Sequence, residues 1–302
     1  MRPHHLAFGI FIATMAGTNW VGTKVSVDWF PPFLVVAMRF VFLSVVLLPF
    51  LRVVRGQMLT VIAVAITLGV MQFGFMFLSL SLSTDVSTLA IVNQVYVPIS
   101  TILAVLVLGE TVGWRRWSAI AIAFAGVMVL GFDPQSLNQL PALGVVMLSA
   151  ISLSLSSLFM RRLTGVPVWQ LQAWIAVIAA PCMLVLSFLF EDGQIHALAT
   201  APWQGWAAYA YGIVAGSLFF HAGWYYLLRR YPVSMVSPIM LMMPLVGVLS
   251  GVVVYGDVLT WQLIIGGMLT LIGVAIIVLR SGRTGGEVDF DKVPATEPAG
   301  TR

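Results

Sequence analysis

The chain has 302 residues, 60% of them hydrophobic and only 9% charged, with a formal net charge of +4. Soluble domains carry roughly 25% charged residues, so this composition excludes a water-soluble fold and makes lipid the solvent for most of the chain. The single cysteine, Cys182, excludes an intramolecular disulfide and a cysteine-based metal cluster. The basic residues sit in pairs at the ends of apolar runs, not on one face, so nucleic acid is not an expected partner.

A membrane-crossing helix needs about 20 mostly apolar residues. On that measure the sequence predicts an all-α integral membrane protein with ten spans, at 6–26, 31–51, 58–81, 86–108, 114–131, 141–160, 167–190, 206–228, 233–255 and 261–280. The first span has a weakly basic flank (Arg2, His4, His5) but no small-x-small cleavage site after it, so it reads as a retained span and not as a signal peptide. Connections are short except 191–205. Beyond Arg280 the sequence turns to Gly, Pro, Thr, Glu and Asp, and 283–302 reads as a disordered, solvated tail.

A repeat organises these spans. Val86 to Gly131 aligns without gaps to Val233 to Val278, pairing Ser87 with Ser234, Gly109 with Gly256, Glu110 with Asp257, Trp114 with Trp261 and Gly126 with Gly273. Pro98 and Pro244 match after a slip of one residue. Lys and Arg accumulate on the cytoplasmic side of a membrane. Arg2 precedes the first span, and Arg52, Arg55, Arg115, Arg116, Arg161, Arg162, Arg229, Arg230 and Arg280 follow even-numbered spans. Odd-numbered exits hold Lys24 as their one base, with Asp28, Asp85, Asp133, Glu191, Asp192 and Asp257. Both termini are therefore expected in the cytoplasm. The hinge at Glu110 falls inside and its counterpart at Asp257 outside, so the two copies are expected upside down relative to each other. The predicted organisation is 1–135 as the first five-helix repeat and 136–282 as the inverted second repeat, a transporter architecture with its site near the midplane.

Polar groups inside the spans are the candidate site. A charge near the bilayer centre costs at least a few kcal/mol, about 2.5–3.5 on insertion scales. Arg39 lies about nine residues into the second span with no Asp or Glu at comparable depth. Its planar fork suits a substrate carboxylate; bonding to helix carbonyls is the structural alternative. Asn19, Trp20, Gln72, Asn93, Gln94, Tyr96 and His221 fall near middle depth and are candidate substrate contacts or interhelical hydrogen bonds. His221 titrates near neutral pH and could carry a coupling proton or remain a neutral hydrogen-bonding group. Trp174 and Trp224 are candidate path-lining or packing aromatics. Glu110, at a membrane edge, is expected to cap a helix or pair with Arg115. Prolines inside spans permit bends, and Pro98 and Pro244 are candidate hinges. Gly247 with Gly251, Ala121 with Ala125, and Ser152 with Ser156 are candidate close helix contacts.

No nucleophile elbow, HExxH, Walker loop or dinucleotide fingerprint is present. An enzyme, a metal site, a bound cofactor and ATP-driven pumping within this chain have no motif to support them.

At these residues the chain resembles the drug/metabolite transporter superfamily of the EamA type, over about 6–280. The resemblance rests on GTNWVGTK in the first span, PPFLVVAMRF in the second, the run from Pro98 to Glu110, and the glycine-bearing ends of the fifth and tenth spans. MQFGFMF (71–77) and WYYLLRRYPVSMVSPIMLMMPLVG (224–247) are similar to bacterial exporters of O-acetylserine and cysteine. Asp257 stands where the family usually has Glu. The resemblance implies a ten-helix inverted-repeat fold, the bacterial inner membrane, export by alternating access, and a recurrent arginine in the second span. The combined expectation is a secondary transporter exporting small polar metabolites, amino acids or their derivatives. An exporter of lipophilic drugs and a non-transporting membrane receptor or assembly factor are the alternatives.

Overall fold

In lipid no water can satisfy a free backbone N–H or C=O, so each apolar run pairs its own backbone as a helix. The computed structural model describes residues 1–132, 139–228, 230, 231 and 233–284, with the side chains of 217, 218, 221, 222, 225, 228, 233, 234, 237 and 280–284 outside that description. Among the described residues every regular element is helical. The long helices are α1 (Pro3–Trp29), α2 (Pro32–Val46), α3 (Met58–Leu82), α4 (Val86–Leu108), α5 (Trp114–Gly131), α6 (Leu140–Met160), α7 (Val168–Phe190), α8 (203–228), α9 (Val233–Met240 and Met242–Tyr255) and α10 (Trp261–Thr284). The long connection expected at 191–205 itself contains a helix, Gln194–Thr200. The predicted tail lies outside the described residues from 285 onward.

Among the described residues seven helices are long and apolar enough to cross a membrane: α1, α3, α4, α6, α7, the Pro238–Tyr255 part of α9, and α10. Helix α2 is shorter, at 15 residues. Large apolar side chains point outward, as Leu59 (83% exposed), Leu106 (74%) and Val253 (82%) do. Water would not tolerate that surface, and a bilayer needs it. The molecule is an all-helical membrane protein.

Connections gather at two faces of the bundle. At the face that carries the N-terminus, the Gln57 amide donates to Thr164 O (3.1 Å) and the Trp174 indole donates to Arg52 O (2.8 Å). Glu110 lies here too, but its partner is Arg161 at 2.7 Å, not the expected Arg115. A sequence neighbour loses to a residue that folding brings across from the end of α6. At the far face, Glu191 accepts from Phe33 N (2.6 Å) and Leu34 N (3.1 Å), satisfying the free N-terminal amides of α2.

Several structural features recur at aligned sequence positions. Helix α4 ends at Gly109 (φ 66°) and α9 ends at Gly256 (φ 71°), both in the left-handed region that a side chain resists. Helices α5 and α10 pack closely through Gly126 and Gly273. A Cβ at Gly126 would sit 2.5 Å from Gly266 O, and one at Gly273 would sit 2.6 Å from Ala119 O. The offset that pairs Gly126 with Gly273 also pairs Ala119 with Gly266, so the two contacts are reciprocal. The small-residue expectation is out of register here: Ala121 and Ala125 are exposed, and the contact face is Ala119, Ala123 and Gly126. Gly247 and Gly251 do face neighbours, Ala90 and Trp20 for the first, Ser87 and Asp257 for the second.

Candidate functional site

The site starts from two broken helices. Pro98 has no N–H for the Gln94 carbonyl, and α4 tightens into a 3-10 turn over Asn93–Val95 just before it. Pro244 does the same in α9, which breaks at Leu241, whose N–H reaches back to Pro238 O at 3.2 Å. Two wide π-helical turns, Ala65–Gln72 in α3 and Val214–Phe219 in α8, bring Leu68, Gln72 and Gly216 to the same region. They overlap under the same repeat offset. Such turns leave local backbone irregular, which lipid tolerates only where protein or a cavity surrounds it.

A cavity of about 340 Å³ lies among these elements. Asn19, Trp20, Arg39, Gln72, Asn93, Gln94 and Tyr96 all line it. These candidates come from four separate helices, α1 to α4, and folding brings them together. Pro244 also lines the cavity, whereas Pro98 is buried outside its lining. The side chain of His221 lies outside the described residues; Gly216 and Phe220 are what α8 contributes. Trp174 and Trp224 are not in the lining: the first bonds Arg52 O, and the second stacks on Phe220 at 6.4 Å. Much of the remaining wall is apolar, including Phe40, Leu43, Leu68, Met76 and Leu153. These read in the sequence as ordinary span residues, with no signal to single them out.

Arg39 is 5% exposed, and its guanidinium carbon stands 4.8 Å from the Phe73 ring centre. That ring offers a cation–π contact. Its Nε has no hydrogen-bond partner, and no helix carbonyl accepts from Arg39 among the described residues. The carbonyl-bonding alternative therefore finds no contact here. The side-chain oxygens of Asn19, Gln72 and Asn93 are likewise buried without partners. Helix α6 braces the backbone behind them: Ser149 donates to Gln72 O (3.0 Å) and Ser154 to Tyr96 O (2.9 Å).

The cavity runs from mid-height to Leu47, Trp169 and Val278, near the N-terminal face. Above it the far face is tied together by a cluster in which the sequence marks Asp257 only as the repeat counterpart of Glu110 and Asp85 only as an acid in a connection. Asp257 accepts from Ser87 N (2.8 Å) and Ser87 Oγ (2.6 Å), tying the α9–α10 connection to the start of α4. Asp85 accepts from Thr88 N (3.0 Å) at the same helix start. Lys24 pairs with Asp28 (2.6 Å), which accepts from Tyr255 (2.7 Å). Burial pushes the Asp85 carboxyl above the usual carboxylate range; the Thr88 hydrogen bonds oppose this and the neighbouring Asp257 adds to it.

The profile of the EamA-like transporter family matches residues 5–132 and again 140–279. The chain is 24% identical over 277 residues to a "Probable amino-acid metabolite efflux pump" of Escherichia coli K12, covering 89% of this chain and 93% of the relative. The Salmonella typhimurium protein of the same description is 26% identical over 279 residues, with the same coverage. An "Uncharacterized inner membrane transporter YedA" of E. coli K12 is 24% identical, over 81% of this chain and 80% of its own. A solved crystal structure shares the fold with a TM-score of 0.53 at 20% identity, covering 95% of this chain and 100% of that one. A polytopic helical chain that encloses a cavity with polar groups in its wall, and that one transporter profile matches twice, belongs to the EamA-like transporter family.

Proposed function

We propose that this transporter exports amino acids or amino-acid derivatives across the bacterial inner membrane by alternating access. One observation carries the reading: Arg39 is a buried cation, without a carboxylate partner among the described residues, in the wall of a central cavity. A substrate carboxylate would complete it. The names of the E. coli and Salmonella relatives, amino-acid metabolite efflux pumps, point the same way.

The mechanism follows from the proposed ten-span, inverted-repeat arrangement, with repeats at 1–135 and 136–282. The cavity reaches toward the N-terminal face, and in this proposal that face is cytoplasmic together with both termini, a reading that the arginine distribution supports. Substrate enters there, and its carboxylate meets the Arg39 fork. The broken helices α4 and α9 then exchange the open and shut faces, with Pro98 and Pro244 as hinges. Two inverted copies allow both faces to use the same motion. The far-face ties at Asp257 and Asp28 release in the outward state. A proton is the proposed coupling ion.

The apolar walls support a second reading, export of lipophilic compounds. The two differ in their need for a carboxylate. Purified protein in proteoliposomes should accumulate labelled amino acids in counterflow, and a matched panel of lipophilic cations should not compete. Transport of the lipophilic cations alone, with no amino acid accumulated, would replace the first reading by the second.

A further inference from the structure

Arg39 accounts for one end of an amino acid. The other end has a counterpart in three of the four buried side-chain oxygens that lack partners among the described residues: Asn19 Oδ1, Gln72 Oε1 and Asn93 Oδ1, the fourth, Thr23 Oγ1, lying outside the cavity lining. They come from α1, α3 and α4, and all three residues line the cavity with Arg39. Gln72 and Asn93 are only 5% and 8% exposed. The Gln72 amide nitrogen reaches only the Met76 sulfur, at 3.5 Å. A Cβ at Gly216 would stand 2.7 Å from Asn19 Nδ2, so that nitrogen lies against α8. A buried acceptor left unmade is unfavourable unless something fills it. The complement of three bare acceptors is a group with three donors and no acceptor, and a primary ammonium is that group.

The rest of the wall limits the side chain. Among the described residues Arg39 is the only charged one in the lining. A charged substrate side chain, a third charge beside the carboxylate and the ammonium, would be buried without a partner, which is costly. Leu68, Phe40, Met76, Leu153 and Phe220 offer an apolar surface instead. At about 340 Å³ the cavity is at the small end of ligand sites, which run about 300–1,000 Å³.

We propose that the cavity selects a free α-amino acid with an uncharged, apolar side chain, its ammonium held by the carbonyl oxygens of Asn19, Gln72 and Asn93. The inference rests on the carboxylate reading of Arg39 and adds to it the amine and the side chain. A polar metabolite with a blocked amine is excluded.

The test uses the full chain purified in detergent, with affinity read from ligand-induced thermal shifts. The probes are L-leucine, N-acetyl-L-leucine, L-leucinamide and L-aspartate. L-Leucine should bind at least tenfold more tightly than each of the others. Asn93→Leu removes one oxygen and should weaken L-leucine about tenfold while leaving N-acetyl-L-leucine unchanged. Equal binding of L-leucine and N-acetyl-L-leucine would overturn the ammonium site and leave the Arg39 reading standing. Equal binding of L-leucine and L-leucinamide would overturn the Arg39 reading and leave the ammonium site. L-Aspartate binding as tightly as L-leucine would overturn the apolar selection. If Asn93→Leu does not fold, the ligand series on the parent still decides each point.

Discussion

Arg39 sits where an unpaired charge is costly, with an aromatic face at 4.8 Å as a favourable contact. Replacing it by methionine removes that cost. Arg39→Met should therefore hold or raise the melting temperature in detergent while transport of carboxylate-bearing substrates collapses. A hydrogen bond to a charged group contributes about 1.5–3 kcal/mol, or roughly ten- to a hundredfold in affinity. Arg39→Lys keeps the charge but loses the fork, so it should lose affinity more than stability. A joint fall of yield and melting temperature in Arg39→Met would mean that the arginine braces the bundle instead. Arg39 and the amides around it were legible in the sequence because polar side chains in a span are expensive. Leu68 and Phe220 were not, because an apolar residue facing a cavity looks like one facing lipid. The partner of Glu110 was also hidden: Arg161 lies far along the chain, and only the meeting of α4 and α6 brings it close.

The helices themselves carry the next set of outcomes. Gly126 has Gly266 O at 2.5 Å from where a Cβ would stand, whereas Gly144 has nothing within 4 Å. Gly126→Ala should lower the melting temperature clearly, since overpacking costs about 1–3 kcal/mol, and Gly144→Ala should leave it unchanged. Pro98→Ala and Pro244→Ala restore backbone donors to the broken helices. Each should slow substrate exchange while leaving equilibrium binding near the parental value; unchanged exchange rates in both would make the breaks static features. The prolines announced these bends in the sequence, but the π-helical turns of α3 and α8 left no such mark, since no single residue type dictates them. The helix at Gln194–Thr200 escaped because it is short and, with no residue of it buried, lies at the edge of the bundle.

At the scale of the molecule, the closing of the far face has a pH sense. The Asp85 carboxyl lies above its usual range in the shut arrangement, mainly through burial, and would return toward that range if opening admitted water. Protonation therefore favours the shut face. That contribution is complete below the ordinary carboxylate range and is lost as pH rises through the elevated value. Asp257, Lys24, Asp28 and Tyr255 are the charged or titratable groups around it among the described residues. In a Cys182→Ala background, a cysteine introduced by Met76→Cys should label from the far face more readily as pH rises. Adding Asp85→Asn should flatten that dependence to the ordinary ionisation of the thiol. Identical pH profiles with and without Asp85→Asn would remove Asp85 from the closing step. Alternating access around Arg39 makes the most exposed claim, since a cavity open toward one face must also open toward the other. Leu153→Cys, in the cavity wall, reports it directly in a Cys182→Ala protein. Membrane-impermeant thiol reagent should label it from the cytoplasmic side without substrate, and from both sides while amino acid is being turned over. Labelling confined to one side under every condition would contradict transport through this cavity.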